Sequence, residues 1–198
     1  MTTTTPYASV RRVGGDELPT VLGVLTEAFS HDPLSGWLFP DERERGRLLE
    51  HFHYPLLAHP AGECYLTGGG EGAAVWLALP AGGGAPEEPQ APEAGSLFGE
   101  GAARLRALGE ALAGRHPRTA HLYLACMGVA AEHRGAGLGS VLLRHRLERA
   151  DAEGATCYLE ASSPRSRALY LRHGFADDGA PVRVADAPPL WPMLRRPR

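Results

Sequence analysis

The spacing of apolar residues changes several times along this chain, and each change marks an element. Val10 to Val13 suits a short strand that Gly14-Gly15-Asp16 ends. Leu18, Val21, Leu22, Leu25 and Phe29 then recur at helical intervals, with one face toward a core. His31-Asp32-Pro33 and Trp37-Leu38-Phe39-Pro40 break that period, which predicts an aromatic loop too interrupted for a helix. Asp41 is placed to cap a helix running to about Ala58. Glu63 to Thr67 and Ala73 to Leu79 are apolar or alternating on either side of Gly68 to Gly72, the pattern of a β-hairpin. From Ala81 to Gly95 the chain is rich in Gly, Pro and acidic residues, so a mobile insertion is expected across about 81–97, inside a single domain spanning 1–198. Gly99 to Ala113 is helical again.

The stretch Leu122 to Leu143 carries the strongest chemical signal. Leu122, Leu124 and the Cys126 to Val129 segment read as a buried strand, Arg134 to Gly139 as a glycine-rich turn, and Val141 to Leu143 as the start of an amphipathic helix. Glycines let backbone N–H groups converge on an anion, and the helix that follows adds the partial positive charge of its N-terminus. A Walker loop is excluded, since it requires lysine and the chain has none. A dinucleotide fingerprint fits poorly: Ser140 stands where its third glycine belongs, and the turn lies beyond the tip of the strand. What remains is Arg-x-x-Gly-x-Gly, met by Arg134, Gly137 and Gly139.

Further on, Cys157 to Ala161 reads as a second short strand. Ser163-Pro164 supplies an N-cap and a proline at the first helical position, and Gly174 ends the helix through Ala168, Leu169 and Leu171. Phe175 opens another strand, and Pro181 to Val184 and Leu190 to Leu194 are expected to close the sheet. The order β-α-α-β-β-α-β-α-β-α-β-β is an α/β arrangement. The Arg134 turn and the Ala-Leu-Tyr170-Leu-Arg-His-Gly-Phe segment, at this separation, resemble the GNAT acyltransferase superfamily. Within it the segments AFSHDP, AVWLALP, GVAAEHRGAGLG and YLEASSPRSRALYLRHGF, with Trp191 near the end, are most similar to puromycin N-acetyltransferase-like enzymes.

That resemblance implies a GNAT fold: a mixed, mostly antiparallel central sheet with helices on both faces, in which the strands ending near Val129 and Ala161 splay apart. It implies acetyl-CoA as cosubstrate. Backbone of Met127, Gly128 and Val129 would take the pantetheine amides. The N–H groups of Arg134, Gly135, Ala136, Gly137, Leu138, Gly139 and Ser140 would take the pyrophosphate, the Arg134 side chain lying either near phosphate or in solvent. Ser166 stands where many relatives have an Asn that contacts the cofactor. Tyr170 is the expected acid for the departing thiolate. Glu160, at the end of its strand, is the candidate base, against the alternatives of a buried carboxylate paired with Arg or one exposed to solvent. His31, Asp32 and Trp37 are acceptor-binding candidates, as is Tyr123, which lies about where some relatives carry an acidic base.

Composition narrows the reading without changing it. A net charge of −3 gives no sign of nucleic acid or an anionic membrane as partner, and no apolar run is long enough to span a bilayer. All 20 basic residues are Arg, which suits GC-rich coding better than any structural need. Cys64, Cys126 and Cys157 are odd in number and lack ligand spacing, so reduced core thiols and no metal are expected. His51 and His53 are two apart on a helix and cannot chelate one ion. A cytoplasmic N-acetyltransferase acting on a small-molecule amine, as monomer or homodimer, is the expectation. A protein or peptide N-acetyltransferase and a non-catalytic acyl-CoA sensor are the alternatives.

Overall fold

The computed structural model describes residues 9–82, 95 and 97–198. Strand β1 (Val10–Val13) leads through a single 3-10 turn to α1 (Leu18–Phe29), α2 (Pro33–Leu38) and α3 (Glu42–Leu57), and the hairpin β2 (Gly62–Thr67) and β3 (Gly72–Leu79) follows. Then come α4 (Gly101–Ala113), β4 (His121–Val129), α5 (Leu138–Ala152), β5 (Cys157–Ala161), α6 (Pro164–Arg172), β6 (Ala176–Asp177) and β7 (Trp191–Arg195). The strands form one seven-stranded sheet in the order β1-β2-β3-β4-β5-β7-β6. Every pairing is antiparallel except β4 with β5.

Helices cover both faces. On one, Leu142, Leu143 and Leu147 of α5 and Tyr170 of α6 pack with Trp76, Leu124 and Leu159. On the other, Val21 and Leu25 of α1 and Leu57 of α3 pack with Val75, Leu77 and Cys126. A third cluster joins Leu38 of α2 and the following Phe39 with Leu48 and Leu49 of α3 and Leu105 and Leu108 of α4. The two buried arginines, Arg146 and Arg195, are paired: Arg146 holds Glu63 at 2.7 Å, and Arg195 grips Asp151 through two bonds of 2.8 and 2.7 Å, fastening the last strand to the end of α5. Cys64, Cys126 and Cys157 are buried and unpaired.

The expected loop after α1 is a helix over Pro33–Leu38. Pro33 reads as a breaker, yet it occupies the first helical turn, where its missing N–H is no loss, and the Asp32 carboxylate accepts from Leu34 N at 2.9 Å. The expected strand Pro181 to Val184 reduces to one bridge between Val182 and Leu190. The expected insertion at 81–97 lies outside the described residues, apart from positions 81, 82, 95 and 97.

Close approach of α1 to β4 depends on Gly128, where a Cβ would stand 2.5 Å from the Ala28 Cβ. Gly128→Ala is therefore expected to lower stability by ~1–3 kcal/mol through overpacking. Gly114→Ala, at a site with nothing within 4 Å, should change little. Urea denaturation of both variants checks this, and equal midpoints would contradict the packing argument.

Candidate active site

Strands β4 and β5 pair only at Leu122 with Cys157 and Tyr123 with Tyr158. Beyond those rungs they diverge. Opposite β3 the register skips Ala125, Val75 facing Cys126 and Trp76 facing Leu124, which is a β-bulge. The bulge bends β4 and puts Ala125 and Cys126 on one face, while Met127 packs on the other. The β4 backbone from Leu124 to Val129 thus presents polar groups toward a gap that β5 does not fill, a place suited to an extended chain of amides.

At the end of β4 the turn that opens α5 is built on Gly135 at φ +89° and Gly137 at φ +84°, a region open to glycine without strain. Among the described residues no side chain caps this helix. Its first-turn N–H groups, from Leu138, Gly139 and Ser140, therefore face outward from an exposed turn, where an anion is favoured. The Arg134 side chain is used otherwise. Its Nη2 donates to Ala28 O at 2.8 Å and its Nε to Val129 O at 3.1 Å, clasping the end of α1 to the end of β4.

Tyr170 is buried on α6, its ring edge-on to Phe175 at 5.9 Å. Burial first, then Cys126 and Asp32, raise its pKa far above that of a free phenol, so the hydroxyl keeps its proton. Ser166 completes a capping box with Ser163, its Oγ accepting from Ser163 N at 3.1 Å and Ser163 Oγ accepting from Ser166 N at 3.1 Å. Asp32, besides capping α2, accepts from Ser162 Oγ at 3.1 Å and so ties α2 to the end of β5. Burial raises the Asp32 pKa, against the bonds from Leu34 N and Ser162. Trp37 donates from Nε1 to Asp186 at 2.8 Å, and Arg104 lies over its ring while bonding its carbonyl. His31 is exposed at the α1–α2 corner.

Glu160 is neither paired with Arg nor solvated. Its side chain is 6 % exposed, and His116 Nε2 stands 3.5 Å from Oε1. Tyr123 of β4 and Tyr158 of β5 flank it, their shared rung placing both rings on the face that bears Glu160. Burial raises the Glu160 pKa to about 7, although both phenols oppose the rise by favouring the ionised form. Periodicity two along β5 could have placed Tyr158 beside Glu160 from sequence. His116 carries no such signal, because it reaches the site from the segment between α4 and β4 only through tertiary folding.

Residues 91–175 match the model of the acetyltransferase (GNAT) family. Over 96 % of both chains, the structure superposes with TM-score 0.71 and 29 % identity on a Corynebacterium glutamicum protein described as histone acetyltransferase HPA2 and related acetyltransferase. Arylalkylamine N-acetyltransferase 2 from Aedes aegypti is similar over 95 % of this chain and 98 % of its own, with TM-score 0.65 and 15 % identity. PaiA N-acetyltransferase from Thermoplasma acidophilum, in complex with coenzyme A, is similar over 95 % and 98 %, with TM-score 0.55 and 10 % identity. The last two likenesses concern the fold alone.

The buried Glu160 makes stability depend on pH. Its pKa is raised in the folded state from 4.5 to about 7, so between those values the folded protein binds more protons than the unfolded chain. This contribution is present at low pH and is lost as pH rises through that window. His53 and His116, lowered by burial to about 4, act in the opposite sense and lose their contribution as pH falls below 6.5. The difference between wild type and Glu160→Gln, followed by urea unfolding at both ends of the window, isolates the carboxyl. The wild type should lose stability relative to the variant on going to the higher pH, and a constant difference would contradict the burial argument.

Proposed function

From a GNAT fold whose residues 91–175 match the acetyltransferase family, we propose that this chain is an acetyl-CoA-dependent N-acetyltransferase acting on the primary amine of a small molecule, by direct attack in a ternary complex. The observation that carries the reading is the gap between β4 and β5, opening beside an uncapped helix start with two left-handed glycines. It fits the cosubstrate in two places. Backbone of Met127 to Val129 is suited to pantetheine amides, and the N–H groups from Arg134 to Ser140 are suited to its pyrophosphate. Acetyl-CoA supplies an acyl thioester.

The chain's own groups then have separate tasks. A backbone N–H near Val129 polarises the acyl carbonyl. Glu160, with a pKa near 7, takes the proton that the amine must lose, directly or through water. Tyr170, still protonated at that pH, donates to the developing thiolate of the leaving group. Asp32 links α2 to the end of β5 through Ser162, so the acceptor side is walled by folded chain, with Trp37 held by Asp186 and Arg104. A walled approach with an aromatic surface supports a small amine, such as an antibiotic or aminonucleoside, over a peptide. His31, Tyr123 and Ser166 belong to this proposed site as acceptor and cofactor contacts.

Gly137→Asp places an anion where phosphate would lie, in open space though at a left-handed backbone that strains an L residue. Calorimetry should show acetyl-CoA binding lost while circular dichroism stays native. Equal affinity would remove the turn from the site.

Tyr170→Phe keeps the ring and removes the proton. On a thiol-release assay over puromycin, aminoglycosides, polyamines and Lys-bearing peptides, wild type should favour the small amines, and the variant should lose ~10²-fold or more in kcat with acetyl-CoA affinity little changed. Efficient acetylation of peptides with every small amine inert would replace the small-molecule reading with protein acetylation. Binding of acetyl-CoA with no turnover on any amine would favour a sensor.

A further inference from the structure

Behind Glu160 runs a chain of imidazoles whose proton positions follow from their partners. His121 Nδ1 lies 2.8 Å from the Thr119 carbonyl oxygen, which can only accept, so this nitrogen carries the proton. His121 is buried and its pKa lowered, chiefly by that burial, so the ring is neutral and its Nε2 is bare. His116 Nδ1 approaches that bare nitrogen at 3.3 Å and must be the donor. His116, 2 % exposed in its side chain, is likewise held neutral, its pKa lowered to about 4 by burial and then by His121. Its Nε2 is therefore also bare, and it faces Glu160 Oε1 at 3.5 Å.

Both of these facing atoms are buried, and among the described residues neither has a hydrogen-bond partner. With Glu160 ionised, two lone pairs would confront each other away from water, a costly arrangement. One proton resolves it. We propose that Glu160 and His116 act as a pair that holds a single proton between Oε1 and Nε2, with His121 and the Thr119 carbonyl fixing the tautomer of His116. This deepens the reading of Glu160 as base. The proton leaves the amine nitrogen for the Glu160 carboxyl, and the protonated carboxyl is stabilised by donation from Oε1 to Nε2; no second proton has to move. His116 is thus a positioning residue, acting on the amine only through Glu160.

Other groups face the pair. Tyr123 and His121 lie on β4 and Tyr158 on β5, with Asp178 and Arg115 acting on the Tyr158 hydroxyl. The lone pair of His116 is the acceptor that favours the protonated carboxyl.

Replacing that acceptor by a donor reverses the effect. In His116→Gln the amide Nε2 takes the place of the imidazole Nε2 and donates to the ionised carboxylate. The pH midpoint of kcat/KM should fall by roughly one unit, with acetyl-CoA affinity unchanged, because a bond to the charged form replaces one to the neutral form. A merely structural histidine would change activity without moving the midpoint, and that outcome overturns the proposal.

NMR on the acetyl-CoA-free wild type tests the pair without reference to catalysis or to folding of a variant. Below the Glu160 midpoint, nitrogen shifts should show both His116 and His121 as Nδ1–H tautomers. The Glu160 carboxyl carbon should titrate near neutrality. An Nε2–H tautomer at His121, or a Glu160 carboxyl that titrates in the ordinary acidic range, overturns the proposal. If the NMR result holds while no amine is acetylated, the pair stands and the acetyltransferase reading fails.

Discussion

The limit on pairing between β4 and β5 is the constraint from which the site follows. Two parallel rungs, at Leu122 and Tyr123, hold the strands together at their start. The bulge at Ala125 then turns β4 away, so its later backbone has β3 on one side and no strand on the other. An unpaired strand edge inside a sheet is expensive unless something completes it. The fold stabilises the opening from outside the gap. Arg134 clasps Ala28 and Val129, Gly128 lets α1 press on β4, and Asp32 holds α2 to Ser162 beyond β5. The opening is therefore a property of the packed fold, and the turn at Gly135 and Gly137 lies where the opened strand delivers the chain to α5.

Elements with local signals were legible in the sequence. The strand Cys157 to Ala161 has the expected bounds, and the Ser163 cap with Pro164 in the first turn is present with a reciprocal Ser166 bond, because capping is decided within four residues. The helix over Pro33–Leu38 was not legible, since Pro33 and Pro40 bracket a stretch without helical periodicity and the Asp32 cap with Pro33 in the first turn decides for helix. The site divides along the same line. The glycine turn and Tyr170 stand in contiguous motifs. In the environment of Glu160 only Tyr158, two residues back on the same strand, follows from a local pattern; Tyr123 and His116 come from other segments through tertiary packing.

That environment is informative because of what the chain does elsewhere. Its basic residues are all Arg, and several of them neutralise carboxylates at the joints of the fold. Arg146 reaches Glu63 and Glu153, Arg195 reaches Asp151, and Arg167 reaches Asp177. Asp151 and Asp177 are held below the usual carboxylate range mainly by those arginines, and Glu63, which burial alone would raise, is brought below it by Tyr65 and Arg146. Such groups are fixed as anions and cannot take a proton near neutrality. Among the described residues, no arginine pairs with Glu160, and its neighbours are two phenols and a neutral imidazole. A guanidinium there would have fixed the carboxylate as an anion, unable to take a proton near neutrality. Leaving the buried Glu160 without one lets burial hold its pKa up at about 7, at a cost to stability as pH rises through that value.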